Sequence, residues 1–322
     1  MKAVYIYEQG DPSVIQIGDL PVPEVIPKTV LIKVLAVSVN YVDTFIRSGL
    51  YQTQLPQPYI LGRDAVGEVV SVGDDVSQFA AGDLVWTNSM GYDSRQGVTS
   101  EYALIPAERL FSVPEGADPV RLIGAVHSAA TAAIVLQDIM QLARGQTLLI
   151  EGAAGHVGSK LLCLAHEAGA KVVTTSNYQD FSKLGQIGSS ACFDYRDDKL
   201  FQKLTEQFPA GFDHIIDTSG EIALKTNIDL LALKGAITLI TTPRESTFDA
   251  RQFYMNCQQI RGFVISQANL KQLQMAGRLV NNAFKEGRLL EDDTVIKTFD
   301  EAAEAHRLLD NKKERRKIVL VP

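Results

Sequence analysis

Hydrophobic and polar positions change texture near residue 120. Ahead of it the apolar runs are short and broken by Gly, Asp and Pro, and Val30–Val39, Val66–Val72 and Leu84–Thr87 read as strands. An Ala-rich apolar stretch then predicts a helix over Leu122–Leu142. Beyond it, strand and helix patterns alternate, with apolar strands at Thr147–Ile150, Val172–Thr175, Ala191–Phe193, His214–Ile216 and Ala236–Thr241. That alternation predicts an α/β doubly wound parallel sheet. From about Met255 the pattern mixes a strand at Ile260–Ile265, helices at Leu270–Glu286 and Phe299–Leu309, and a last strand. The chain contains no internal repeat and no low-complexity segment.

One unit of this pattern carries chemistry. The apolar run Gln146–Glu151 leads into Gly152-Ala-Ala154-Gly155-His156-Val157-Gly158. Val157, Leu161, Leu164, Ala165 and Ala168 then fall on one helical face, Gly169 stands where that helix can end, and Val172 opens the next strand. A strand, a glycine turn and a helix N-terminus form a site for the pyrophosphate of a dinucleotide: glycines admit the backbone to the phosphates, and free N–H groups meet them. An NAD site usually carries an acidic residue about 20 positions on, for the ribose hydroxyl. Here Thr175, Ser176 and Asn177 occupy that place, with Lys183 and Tyr195-Arg196 further along. No carboxylate repels a 2′-phosphate, so NADPH is expected over NADH.

Composition narrows the class. The chain has 322 residues, enough for two domains with real cores, and its formal net charge of −7 argues against nucleic acid or acidic membranes as partners. The basic run Lys312–Lys317 reads as a solvated turn before the last strand. Three scattered cysteines suit a reducing cytoplasm rather than a disulfide framework. Met1–Glu8 lacks the apolar core of a signal peptide, and no uninterrupted apolar run reaches the roughly 18 residues of a membrane helix. A soluble, cytoplasmic protein is expected.

Three further segments carry a family resemblance. Gly67-Glu-Val69-Val-Ser-Val-Gly73-Asp-Asp-Val76-Ser-Gln-Phe79-Ala-Ala-Gly82-Asp83-Leu-Val85 is a run of strands and turns, with glycines where tight turns demand positive φ. Asn40-Tyr-Val-Asp43-Thr-Phe-Ile-Arg47-Ser-Gly49-Leu-Tyr51 and the closing Phe299–His306 and Lys317–Leu320 stretches accompany it. With these, the chain resembles the medium-chain dehydrogenase/reductase superfamily, and within it the zinc-free quinone oxidoreductases related to ζ-crystallin. The resemblance implies a GroES-like β-rich catalytic domain, residues 1–120 plus 255–322, and a Rossmann NADP-binding domain, residues 121–254. Relatives are commonly homodimers, joined through the cofactor domains.

The departures are informative. Where zinc alcohol dehydrogenases of this superfamily have a catalytic Cys, this chain has Asn40, and their Gly-His-Glu is Gly62-Arg63-Asp64. No cysteine precedes Cys163 and the five histidines lack ligand spacing, so no metal is expected. Without a Lewis acid, hydride transfer from NADPH to a quinone or an α,β-unsaturated carbonyl compound is the expected reaction, since positioning and a few donors suffice for it. The alternatives are an alcohol dehydrogenase or ketone reductase of the same superfamily, and a non-catalytic NADPH-binding protein.

The resemblance assigns catalytic candidates Asn40, Asp43, Tyr51 and Thr131. Asn40 bonds substrate or cofactor, or only stabilises its turn; Asp43 orients a neighbour rather than acting as a base; Tyr51 donates to a substrate oxygen, or only packs; Thr131 lies by the nicotinamide. Phe45 stands where many relatives have Tyr, which removes one hydroxyl. His127 is weighed as an acid against a residue merely satisfied by a hydrogen bond. For the cofactor the candidates are Gly152, Ala154, Gly155, His156, Val157, Gly158, Ser176, Asn177, Lys183 and Tyr195. His156 replaces a frequent Gly, Lys183 lies two positions beyond the usual Lys, and Tyr195 matches the adenine-side tyrosine.

Overall fold

A computed structural model describes residues 1–242 and 247–322. The chain divides into two compact units, Met1–His127 with Leu273–Pro322, and Ser128–Gln272.

The first unit is β-rich. Strand Thr29–Ser38 is its spine: it pairs antiparallel with Asp64–Val72 on one side, with the last strand Lys317–Val321 on the other, and with Tyr102–Pro106 along its first half. Leu84–Thr87 and Leu110–Ser112 extend the sheet beyond Asp64–Val72, and Thr294–Thr298 pairs parallel with Lys317–Val321. A second, three-stranded sheet joins Gln16–Asp19, Lys2–Ile6 and Tyr59–Ile60. Alternation along Thr29–Ser38 turns Val30, Ile32 and Val34 into a core that also takes Ile105, Phe299 and Leu320. Trp86 is fully buried, stacked on Phe111 at 4.4 Å, and donates to Asn281 Oδ1 on helix Leu270–Lys285. Of the glycines in the Gly67–Val85 stretch, Gly82 has the left-handed φ of 92°, whereas at Gly73 a side chain would sit 2.1 Å from the Ile26 carbonyl oxygen. That stretch thus holds two kinds of glycine, one for a turn and one for close packing.

The second unit is the expected doubly wound sheet. Six parallel strands lie in the order Ala191–Asp194, Lys171–Ser176, Thr147–Glu151, Phe212–Asp217, Leu231–Leu239 and Gln259–Gly262. Chain order therefore reverses between Thr147–Glu151 and Phe212–Asp217, and ligands of such sheets bind outside the carboxyl ends of the strands at that reversal. The strand expected over Ile260–Ile265 runs over Gln259–Gly262 and is this sheet's edge strand. The helix expected over Leu122–Leu142 is α-helical over Pro119–Ile134 and continues as a π-helix over Val135–Ile139. Arg261 Nη1, from the edge strand, donates to the Ile139 carbonyl and satisfies that end. Pro119–Ile139 is the one helix among the described residues long and apolar enough to cross a membrane, and most of it is buried inside the fold.

Candidate functional site

Strand Thr29–Ser38 ends just before Asn40, which is the N-cap of helix Tyr41–Ser48. Asp43 folds back, and its Oδ2 accepts the Asn40 backbone N–H at 2.7 Å, the return half of a capping box. The Asn40 side chain points elsewhere. Its Nδ2 donates to Asp64 Oδ2 at 2.8 Å, and its Oδ1 accepts from Lys317 Nζ. Asp64 opens the neighbouring strand opposite Ser38, wholly buried, and also takes the Ser89 backbone N–H at 3.1 Å. His127 Nδ1 lies 3.1 Å from the same Asp64 Oδ2. The imidazole therefore has its hydrogen-bond partner, and Asn40 and Asp43 stand in one buried network with Asp64, His127 and Lys317.

The two carboxyls are pushed apart. Burial works against the charge of Asp64, yet His127, Arg63 and the Ser89 N–H outweigh it and hold the carboxyl below its ordinary range. Burial, reinforced by Asp64, pushes Asp43 up to about 7, and its buried Oδ1 has no hydrogen-bond partner. Burial also raises the half-buried phenol of Tyr51, which keeps it a donor; its ring packs on Phe45 at 5.3 Å. Lys317 is, with Asp64, a residue of this network that sequence reasoning missed as a site residue. Lys312, Lys313, Arg315 and Arg316 are exposed as a solvated run should be, but Lys317 is the first residue of the last strand and is buried. The onset of that apolar strand was its only signal.

Zinc would need lone pairs converging on one point. Here Asn40 turns an N–H toward Asp64, and its oxygen already holds an ammonium. Among the described residues, no three His, Cys, Asp or Glu side chains gather into a group that could hold a metal ion. This donor set does not fit zinc.

In the second unit, strand Thr147–Glu151 leads into Gly152, whose φ of 73° only glycine adopts readily. The turn is pinned on both sides. Ala153 N donates to the Thr175 carbonyl at 3.0 Å, and Thr218 Oγ1 donates to the Gly152 carbonyl at 3.1 Å. Gly155 is the N-cap of helix His156–Glu167 and offers no side-chain cap to its first N–H groups. A side chain at Gly158 would meet the Gly152 carbonyl oxygen at 2.6 Å and Ala153 Cα at 2.7 Å, so helix and turn touch there. At Gly155 it would meet only the Gly152 oxygen, at 3.4 Å, with an ordinary φ of −73°. Gly155 is exposed, so the fold itself does not require a glycine at that position. Ala154, His156 and Val157 are half-buried around it.

Past strand Lys171–Ser176, Ser176 is buried and donates its hydroxyl to the Asn177 carbonyl, while Asn177 Oδ1 accepts from Gln179 N. Lys183 is exposed on the following helix. Tyr195 is exposed, with the Arg196 guanidinium over its ring at 5.3 Å. Tyr178, unmarked by any motif, stands 71% exposed on the turn that follows Asn177. Thr131 is buried on helix Pro119–Ile134.

Two family models match: the alcohol dehydrogenase GroES-like domain over residues 26–115 and the zinc-binding dehydrogenase over residues 157–281. The human quinone oxidoreductase is 29% identical over 313 residues, spanning 95% of this chain and 93% of its own length. A crystal structure of an NAD-dependent alcohol dehydrogenase superposes with a TM-score of 0.87 at 25% identity, each chain covered in full. The Escherichia coli quinone oxidoreductase complexed with NADPH gives 0.86 at 20% identity, again over both whole chains. The chain belongs to the medium-chain dehydrogenase/reductase superfamily, as an oxidoreductase related to the quinone oxidoreductases.

Proposed function

We propose that this oxidoreductase binds NADPH on its second unit and reduces a quinone or an α,β-unsaturated carbonyl compound without a metal ion. The observation that carries this reading is Gly155, a glycine that neither φ nor packing requires, exposed at an uncapped helix N-terminus. A missing side chain there leaves backbone N–H groups open to a pyrophosphate. Gly152, Ala154, His156, Val157 and Gly158 complete that cradle. Lys183, exposed beyond the strand that ends at Ser176, is the candidate cation for a 2′-phosphate, with Asn177 and Ser176 at that strand end, and Tyr195 is the candidate for the adenine. Thr131 is the candidate for the nicotinamide end.

When bound, the cofactor supplies a hydride. Negative charge then develops on the acceptor's carbonyl oxygen, and a donor that keeps its proton stabilises it. Tyr51 is suited to that part, because burial holds its phenol protonated. Asn40 and Asp43 position the start of helix Tyr41–Ser48, which leads to Tyr51, rather than meeting the acceptor.

The deciding experiment measures NADPH and NADH oxidation against quinones, enals, ketones and simple alcohols, with Gly155→Ala alongside. Expected are turnover with quinones or enones, NADPH favoured about tenfold or more, and a Gly155→Ala variant of unchanged stability whose NADPH affinity falls. Alcohol oxidation abolished by chelators would overturn the reading. Tight NADPH binding with no turnover on any acceptor would leave a cofactor-binding protein.

A further inference from the structure

Glu151, the residue immediately ahead of the glycine turn, is 1% exposed at the carboxyl end of the central strand. Asn227, 3% exposed on helix Leu224–Asp229, donates Nδ2–H to Glu151 Oε2 at 2.7 Å. The other two oxygens of this pair, Glu151 Oε1 and Asn227 Oδ1, are both buried without a hydrogen-bond partner. As a carboxylate and an amide, two adjacent residues would each leave an acceptor unserved, an arrangement rare in folded proteins. A single proton on Oε1 removes both defects, since an acid and a primary amide close a ring of two hydrogen bonds, O–H to amide oxygen and N–H to acid oxygen.

The neighbours agree on where that proton belongs. Asp217, in register with Glu151 on the next strand, accepts the Ser219 N–H and O–H at 2.7 and 2.6 Å and the Ile222 N–H at 3.3 Å. Thr175, in register on the other side, is neutral, as is Asn227. Asp217 is thus the charged group acting on Glu151, it is served by three donors, and Glu151 by one. Two such carboxyls do not share their charge equally. Burial, then Asp217, pushes Glu151 up to about 8, against the lowering effect of Asn227.

We propose that Glu151 is carried as the neutral acid, closed on Asn227 by two hydrogen bonds, and that this pair positions the phosphate-binding turn so that ionising Glu151 weakens NADPH binding. The second half rests on the cofactor reading above. An anionic side chain ahead of Gly152 would repel a pyrophosphate and break the ring that holds the strand end in place.

Glu151→Gln keeps both hydrogen bonds and cannot ionise, and Glu151→Met serves in its place should that variant not fold. Two series are measured from pH 5 to pH 9: the melting temperature without cofactor, and the NADPH dissociation constant by fluorescence titration. In the parent, the dissociation constant should rise about tenfold between pH 7 and pH 9, against less than about twofold in the variant. The melting temperature of the parent should fall relative to the variant as pH rises toward 8. Parallel melting curves overturn the neutral acid. A melting difference without any difference in NADPH binding overturns the positioning role. Failure of the parent to bind NADPH at every pH defeats the cofactor reading instead, while the melting series still decides the state of Glu151.

Discussion

Tyr51 and Asp43 are both buried enough to be perturbed, yet they are suited to opposite tasks. A phenol pushed up stays a donor at any working pH, so Tyr51→Phe should lower kcat by roughly 10² and leave the NADPH dissociation constant unchanged. Steady-state kinetics beside a binding titration read that split. Burial pushes Asp43, by contrast, toward its neutral form. Its folded value of about 7 stands above the ordinary 3.8, so the stability it permits is fully present below about pH 4 and is lost as pH rises through 7. Asp43→Asn keeps the acceptor for the Asn40 N–H and cannot ionise. Its denaturant midpoint should change less between pH 5 and pH 8 than the parent's, by up to a few kcal/mol in unfolding free energy. The Asn40 and Asp43 positions were legible because their spacing along one short segment matches a family pattern. Their partners were not. Lys317 lies 277 positions from Asn40, and a lysine closing a basic run looks solvated until the strand behind it enters the sheet.

Among elements, the strand–turn–helix of the second unit is the part most legible in sequence, because period and glycine placement agree there. Helix His156–Glu167 buries Leu161, Leu162 and Ala165 against the sheet, close to the stripe that the sequence predicts. What spacing could not separate is why each glycine is there. Gly158 lets the helix close onto the turn; Gly155 leaves the turn open. Gly158→Ala should therefore cost about 1–3 kcal/mol by overpacking backbone against backbone. Urea unfolding without cofactor should detect this loss, whereas Gly155→Ala should match the parent within error. Equal losses at the two positions would mean that Gly155 also serves the fold. The π-helical end of the helix from Pro119 was invisible for a different reason. Its apolar pattern runs on unbroken, and the group that satisfies Ile139 is Arg261, on a strand 122 positions away.

At the scale of the whole molecule, three of the buried titratable groups pull the stability profile in known directions. His306 is held neutral by burial and Arg47, down to about 3, so its contribution is present above 6.5 and is lost as pH falls toward 3. Asp43 and Glu151 do the reverse, losing stability as pH rises through about 7 and about 8. Above pH 6.5 the histidine no longer contributes a slope, and only the two carboxyls remain. Stability should then fall steadily from about pH 6.5 to pH 8, against the usual pattern in which neutral pH lies near the maximum. Asp43 belongs to the first unit and Glu151 to the second, with separate partners, so their effects should add. Because Asp43 is already half ionised at about 7 and Glu151 only at about 8, Asp43→Asn should remove about a third of the fall and Glu151→Gln about two thirds, and the double variant should unfold at nearly one denaturant concentration across that range. A double variant that still loses stability between pH 6.5 and pH 8 would mean that some other group ionises on unfolding there, and that these two carboxyls are not the ones holding protons in the folded chain.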